Sequence, residues 1–359
     1  MLRGILAASA AGVLLSACSG MQHIASSGTP GQRSDGHFGI KEIGSMHVGG
    51  RQVTLAGLPE RDIVFTPGSP PFRVNPNGDF ETEQMYVQFV KLHDPYRRAA
   101  HPMLMIHGGG LTGVTWETKP DGKPGWQMAF LRAGHDVFVA DAVERGRASW
   151  SRFPEVYKSE PFFRTKKEGW ELFRIGPANS YNSEPTKRKQ IADTRFPVGS
   201  FDTFMKQGVP RWATNDAATQ KAYDTLVEQQ CPCVIVVHSQ GANFAFNAAL
   251  KNPGKVKAVV AVEPSGSPDP DKVSLAVLKA VPHLFVWGDH LDQHPLWPRI
   301  KANLDKYREG LLKAGVKADL IDLPARGIKG NSHMLMMDNN SDEVAAMVNQ
   351  WLKDQGLSK

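Results

Sequence analysis

The chain has 359 residues, 41% of them hydrophobic, enough to bury a large core within one enlarged domain. Its 42 basic and 36 acidic residues are mixed along the sequence, so the net charge of +6 is a mild excess rather than a basic block. That pattern argues against a nucleic-acid partner.

The first 18 residues, MLRGILAASAAGVLLSAC, place Arg3 ahead of an apolar run from Ile5 to Leu15 and then small residues before a cysteine. This is the form of an export signal, too short in its apolar part to span a bilayer. Leu15-Ser16-Ala17-Cys18 resembles the bacterial lipobox, which implies that Cys18 is acylated and becomes the mature N-terminus. The expectation is an exported lipoprotein facing the periplasm, held to a membrane by its lipid alone. Ser19 is compatible with the outer membrane. Residues 19–37 are polar and rich in Gly and Ser, as a flexible tether would be.

From about residue 38 to 92 the pattern is of strands joined by turns. MHVGGRQVTL predicts two extended arms about Gly49-Gly50, and EQMYVQFVKL a longer strand, so an antiparallel opening is expected. Short apolar runs follow: MLMIH, DVFVA, CVIVVH, KAVVAV, HLFVW and ADLIDL. These predict buried parallel strands. Helices are expected between them at residues 126–133, 242–250, 273–280 and 297–314, with a closing helix in SDEVAAMVNQWLKD that Ser341 could cap. Such alternation predicts an open α/β sheet with helices on both faces. Between DVFVA and CVIVVH lie about 90 residues, far more than a crossover needs, which predicts a cap over the sheet's active edge.

Cys231 and Cys233 flank Pro232 just before CVIVVH. Export permits a disulfide, but two residues apart in an extended segment approach the upper limit of disulfide reach, so two free thiols are expected. No second Cys or His pair accompanies them at zinc-like spacing.

CVIVVHSQGANFAF stops abruptly at a hydroxyl and resumes as a small-residue helix. Ligands bind at the carboxyl ends of strands in an open α/β sheet, and a sharp strand-to-helix turn exposes its serine above a helix N-terminus. Ser239 is therefore the candidate nucleophile. Gly241 and Ala242 permit the close approach on the far side of the turn; Val237 departs from the small residue usual on the near side. His107-Gly108-Gly109-Gly110 follows MLMIH, where side-chain-free backbone can aim N–H groups at an oxyanion. The backbones of Gly109 and Gln240 are the candidate donors. A phosphate loop is a poorer fit, because the spacing matches neither GxxxxGK[ST] nor GxGxxG.

HGGG after an early strand, HSQGA at the turn and a late histidine resemble the α/β-hydrolase superfamily. HGGGLTGVTWETKPDGKPGW, DAVERGR, VEPSG, WGDH and GNSHMLMMDNNS resemble, more narrowly, a group of exported bacterial esterases. The likeness runs from about residue 38 to 355. It implies an α/β-hydrolase fold over 38–355, with antiparallel N-terminal strands before a mostly parallel sheet and a cap at about 145–230. It also implies a Ser-Glu-His triad whose acid lies one strand after the nucleophile.

A serine nucleophile needs a base, and the base an acid that fixes its tautomer. His23, His37, His47, His93 and His101 precede the sheet's catalytic half; His238 should point away from its neighbour Ser239, and His107 suits a structural hydrogen bond. His333, in GIKGNSH before the final helix, fits the order Ser, acid, His. Glu263 ends KAVVAVE, where Pro264 should keep it extended, and a carboxylate there needs a partner. Asp292 in WGDHLDQHP is the alternative acid; pattern favours Glu263, and the resemblance adds to that. Asp289 fits a turn. Asp289, His290, Asp292 and His294 could be drawn as a metal site, but consecutive loop residues rarely converge, so no metal is assigned. Trp116, Trp126, Phe162, Phe163, Phe173, Phe196 and Phe201 could line a pocket, although most such aromatics are core. Arg145 and Arg147 could meet an acidic substrate, an internal ion pair being the more ordinary role.

The sequence thus reads as a serine hydrolase of carboxylic esters, needing no cofactor, with a small-molecule ester as its partner. Thioester or amide cleavage stays open, because a triad does not choose the leaving group. So does a non-catalytic envelope binding module on the same fold.

Overall fold

The structure is a computed structural model that describes residues 37–152 and 154–359. The signal segment with Cys18, and the tether up to its last residue, lie outside the described residues.

Eight strands form one sheet: β1 (Ile40–Leu55), β4 (Gly78–Leu92), β6 (Val137–Asp141), β5 (Met103–Ile106), β7 (Cys233–His238), β8 (Val256–Val262), β9 (His283–Trp287) and β10 (Ala318–Asp322), in that spatial order. β1, β4 and β6 pair antiparallel, and from β6 to β10 every pairing is parallel. A small hairpin of β2 (Arg61–Ile63) and β3 (Phe72–Val74) stands apart.

The unbroken apolar runs are explained by burial on both faces. Leu104, Ile106, Ile235, Val237, Val259 and Ala261 pack on one side with α5 (Asp216–Gln230), α6 (Gly241–Lys251) and α7 (Leu296–Lys313). Their alternates Met103, Met105, Val234, Val236, Ala258 and Val260 pack on the other with α1 (Val114–Glu117), α2 (Trp126–Arg132) and α8 (Ser341–Asp354). Period-2 alternation along each strand divides the core into these two layers.

Several local expectations are corrected. Gly49 and Gly50 do not separate two arms; β1 runs through them, both at positive φ, opposite Glu83 at φ 62 on β4. A Cβ on Gly49 would stand 3.2 Å from the Cα of Ala222, so the glycine admits α5 against the strand. The helix expected at 273–280 is a short 3-10 turn, Leu275–Leu278. Ser341 begins α8 rather than capping it, and its hydroxyl accepts from the buried Lys119 Nζ at 3.1 Å. Cys231 and Cys233 form a disulfide. The chain bends at Pro232 instead of staying extended, which brings the two Cα atoms to 4.4 Å.

Between β6 and β7 the chain forms α3 (Lys166–Leu172), α4 (Phe201–Met205) and irregular segments before α5. α5 packs on β1, β4 and α6 as a sheet-covering helix. The segment before it lies on the loops at the strands' carboxyl ends, where Val209 N donates to Gly110 O at 2.9 Å and Arg195 N to Gly330 O at 2.7 Å.

Gly241 carries the tight passage from β7 to α6. A Cβ there would lie 2.6 Å from His107 O, 2.8 Å from Ile106 Cγ2 and 2.9 Å from Val237 Cγ2. Val237 is tolerated because Gly241, with no Cβ, leaves room for its methyl group. Gly241→Ala should therefore destabilise the protein by about 1–3 kcal/mol, the range for overpacking a tight core, as a lowered denaturant midpoint with unchanged m.

Candidate active site

Ser239 follows β7 with φ 53, a left-handed conformation that a serine adopts only when its surroundings impose it. Its N–H still donates to Val262 O of β8 at 3.1 Å, so the turn comes directly off the ladder. The hydroxyl lies 3.0 Å from His333 Nε2, and His333 Nδ1 lies 3.0 Å from Glu263 Oε2. The structure thus joins the three residues in one hydrogen-bonded line, although they are separated by 94 and 70 positions in the chain. A neutral imidazole that donates from Nδ1 to the carboxylate presents an accepting Nε2 to the serine hydroxyl.

Glu263 departs from expectation in its backbone. It has φ 49 rather than an extended conformation before Pro264. Its N–H continues the ladder to Val286 O at 2.8 Å, and the chain turns only after that bond. The side chain is completely buried and fully occupied: Oε2 takes His333, while Oε1 accepts from the backbone of Gly288 and from Arg174 Nη2, the latter at 2.7 Å. These bonds offset a strain of roughly 1–3 kcal/mol for such a backbone.

Arg174 was not singled out from the sequence, where it sits in the aromatic and basic stretch before β7. It is fully buried, donates from Nε to Asp289 O at 2.7 Å and lies over the Trp297 ring at 4.7 Å. Trp297 and Phe173 pack on His333, with ring centroids at 4.3 and 5.5 Å. His333 N donates to Phe173 O at 3.0 Å, so the segment over the sheet fixes both backbone and ring of the histidine.

His238 does not simply turn away from the site. Its Nε2 donates to His333 O at 3.0 Å, bracing the loop from below. Asp338, also missed, accepts from Ser332 N, Ser332 Oγ and Asn331 Nδ2 at 2.7–2.9 Å and so ties the residues preceding His333. Burial raises this carboxyl to about 6. His107 makes the structural bonds expected of it: Ala142 N donates to Nε2 at 3.0 Å, which leaves Nδ1–H to donate to Gly108 O at 2.8 Å. Burial lowers it to about 4.

The other acid candidates sit elsewhere. Asp292 is exposed on a 3-10 turn and makes no bond to His333. Asp289 accepts from His290 N and Gly330 N at 2.7 and 2.9 Å, a turn residue as its position suggested. His290 Nε2 meets Asp193 Oδ1 at 2.8 Å, so Asp193, Asp289 and His290 form the cluster of ligand-type atoms here, without Asp292 or His294.

Gly109 and Gln240 face each other beside the serine. Among the described residues neither backbone N–H has an acceptor within the chain. A Cβ on Gly109 would stand 2.6 Å from both Gln240 Oε1 and Arg211 Nη1. Of the expected pocket aromatics, Trp116, Trp126, Phe196 and Phe201 are core, Phe173 packs on His333, and Phe162 and Phe163 are exposed. Arg147 pairs with Asp141 at 2.8 Å and Glu117 at 2.9 Å, whereas Arg145 donates to Pro210 O at 2.8 Å.

A solved bacterial esterase superposes on the chain with a TM-score of 0.76 and 30% sequence identity, covering 90% of this chain and 99% of that one. The chain belongs to the α/β-hydrolase superfamily. Its mixed eight-stranded sheet with helices on both faces is the α/β-hydrolase fold of that esterase. A probable secreted lipase, phiG, from a fungal species (strain ATCC 74256) is 26% identical over 340 residues, covering 77% of this chain and 88% of that one. No protein-family model matches the chain.

Burial first, then the charges of Arg174 and Arg164, holds the His333 imidazole well below its ordinary value, so it is neutral at rest. Replacing Arg174 with Met should raise the pH at which His333 titrates, readable in the ring signals by NMR. Leaving Glu263 without its buried partner should also cost about 3–5 kcal/mol in unfolding. Arg174→Lys, which keeps the charge, should move the titration less.

Proposed function

We propose that this α/β-hydrolase cleaves carboxylic esters through an acyl-enzyme at Ser239. The observation that carries the proposal is the line from Ser239 Oγ through the His333 ring to Glu263 Oε2, with both contacts at 3.0 Å. The esterase and lipase relatives support ester hydrolysis as the reaction class.

In this mechanism His333 Nε2 takes the serine proton as Oγ bonds to the ester carbonyl carbon. The carbonyl oxygen becomes an oxyanion held by the Gly109 and Gln240 N–H groups, at the N-terminus of α6. The imidazolium, stabilised by Glu263, then protonates the departing alcohol oxygen as the C–O bond breaks. Water repeats the sequence: His333 accepts its proton, hydroxide adds to the acyl carbon, and the proton returns to Ser239 as the acid leaves. No cofactor enters these steps.

The exported lipoprotein reading belongs to the same proposal, with Cys18 as the anchor. Among the described residues no helix is long and apolar enough to cross a membrane. A relative that is called secreted supports export.

The test uses purified residues 19–359, a fluorophosphonate and p-nitrophenyl esters. A single adduct on Ser239 by intact mass is expected, with turnover in Ser239→Ala reduced by several powers of ten, because members of a triad act as a unit. Glu263→Gln should lose far more activity than Asp292→Asn. A folded protein that neither forms the adduct nor hydrolyses any ester would overturn the proposal in favour of a binding module.

The pH dependence has a definite sign. The base acts only when neutral, so kcat/KM rises as pH increases through its pKa. Because His333 lies well below 6.5, kcat/KM should stay level from neutral pH to below 6.5 before it falls.

A further inference from the structure

Guanidinium groups from the segment between β6 and β7 gather around the two proposed oxyanion donors. Arg211 donates from Nη1 to Gln240 Oε1 and would stand 2.6 Å from a Cβ on Gly109, so it lies directly against both residues. On another side of Gln240, Arg145 lines a crevice with Gly108, Asn215 and Tyr223. Arg164 borders an apolar cleft with Gly110, Phe173 and Val209, close enough to His333 to disfavour its protonation.

Two of these cations lack the carboxylate partner that the buried Arg174, the half-buried Arg164 and the more exposed Arg147 each have. Arg147 is paired with Asp141, Arg174 with Glu263, and Arg164 with Glu168 at 3.0 Å. Among the described residues, Arg145 and Arg211 form no ion pair. Arg145 is 6% exposed, and its bond goes to a neutral carbonyl. Arg211 is half-buried and bonded to a neutral amide oxygen. Asp216, on the exposed start of α5, favours the charge on both, and the buried Glu144 favours that on Arg145, but neither carboxylate comes within ion-pair distance of them. Burial first, and then the charge of Arg211, disfavours the protonated forms of both Arg145 and Arg164. Placing such cations out of water without a counter-ion is unfavourable, and neutral acceptors compensate only in part. An incoming carboxylate would supply the rest.

We propose, on the basis of the ester hydrolysis argued above, that the natural substrate is an ester bearing a carboxylate and that Arg211 receives this group. The planar fork of a guanidinium suits bidentate capture of a carboxylate. A neutral ester leaves Arg211 as it is. The simpler role, in which Arg211 only steadies Gln240 so that its N–H faces the oxyanion, would act on all esters alike, and that difference is measurable.

Mono-4-nitrophenyl glutarate is compared with 4-nitrophenyl pentanoate, which has the same acyl length without the charge. 4-Carboxyphenyl pentanoate against phenyl pentanoate makes the comparison on the alcohol side. The charged member of at least one pair should have kcat/KM higher by about tenfold or more, the scale of one charge-assisted hydrogen bond. Arg211→Gln should bring that ratio towards one, and Arg211→Lys should restore it in part. Equal rates within both pairs in the parent enzyme would overturn the proposal. So would an Arg211→Gln enzyme in which both members slow together and the ratio stands. Calorimetric titration of Ser239→Ala with monomethyl glutarate separates this inference from the hydrolase reading. Binding that weakens with Arg211→Gln in that background sustains the inference even if turnover is absent, and binding indifferent to Arg211 sinks it.

Discussion

The buried carboxylate of Glu263 is the constraint around which the site is organised. A fully desolvated carboxylate is tolerable only with its charge and lone pairs satisfied, and here three groups from distant parts of the chain do so: His333, Arg174 and the backbone of Gly288. Each comes from a different element, namely the loop before α8, the segment after α3 and the end of β9. The acid therefore ties together the proposed base, the covering segment and the sheet. It also accounts for the left-handed backbone at Glu263, which redirects the side chain at the strand's end.

The two side chains facing Glu263 do different things. His333 receives orientation and a fixed tautomer. Arg174 neutralises the carboxylate when the imidazole is uncharged and, with burial, keeps the resting imidazole uncharged. Aromatic contacts from Trp297 and Phe173 hold the ring, while His238 and Asp338 hold its loop. A ring held on all sides visits few other orientations, and in the proposed mechanism that preorganisation lowers the barrier.

The segment between β6 and β7 is thus part of the site as well as its cover. It contributes Arg174 to Glu263 and Arg211 to Gln240, and it positions His333 through the Phe173 carbonyl. In the sequence this stretch is broken by many prolines and glycines and its basic and aromatic residues look alike. Arg147 and Arg211 differ only in what the fold sets beside them.

Much of the architecture was legible locally. Apolar runs of four to seven residues marked the buried strands, the break at Ser239 marked the strand-to-helix turn, and HGGG and GNSH marked the loops around it. These signals depend on neighbours within a few residues, where side-chain period and backbone sterics act directly. Tertiary structure decided what depends on distant partners. It selected Glu263 over Asp292 at His333, buried Arg174 against that acid, let Val237 pack because Gly241 yields space, and bent the chain at Pro232 so that Cys231 meets Cys233. Sequence determined which groups stand at the ends of which strands; the fold determined their partners, because hydrogen bonds and ion pairs are settled by positions that only packing brings within 3 or 4 Å.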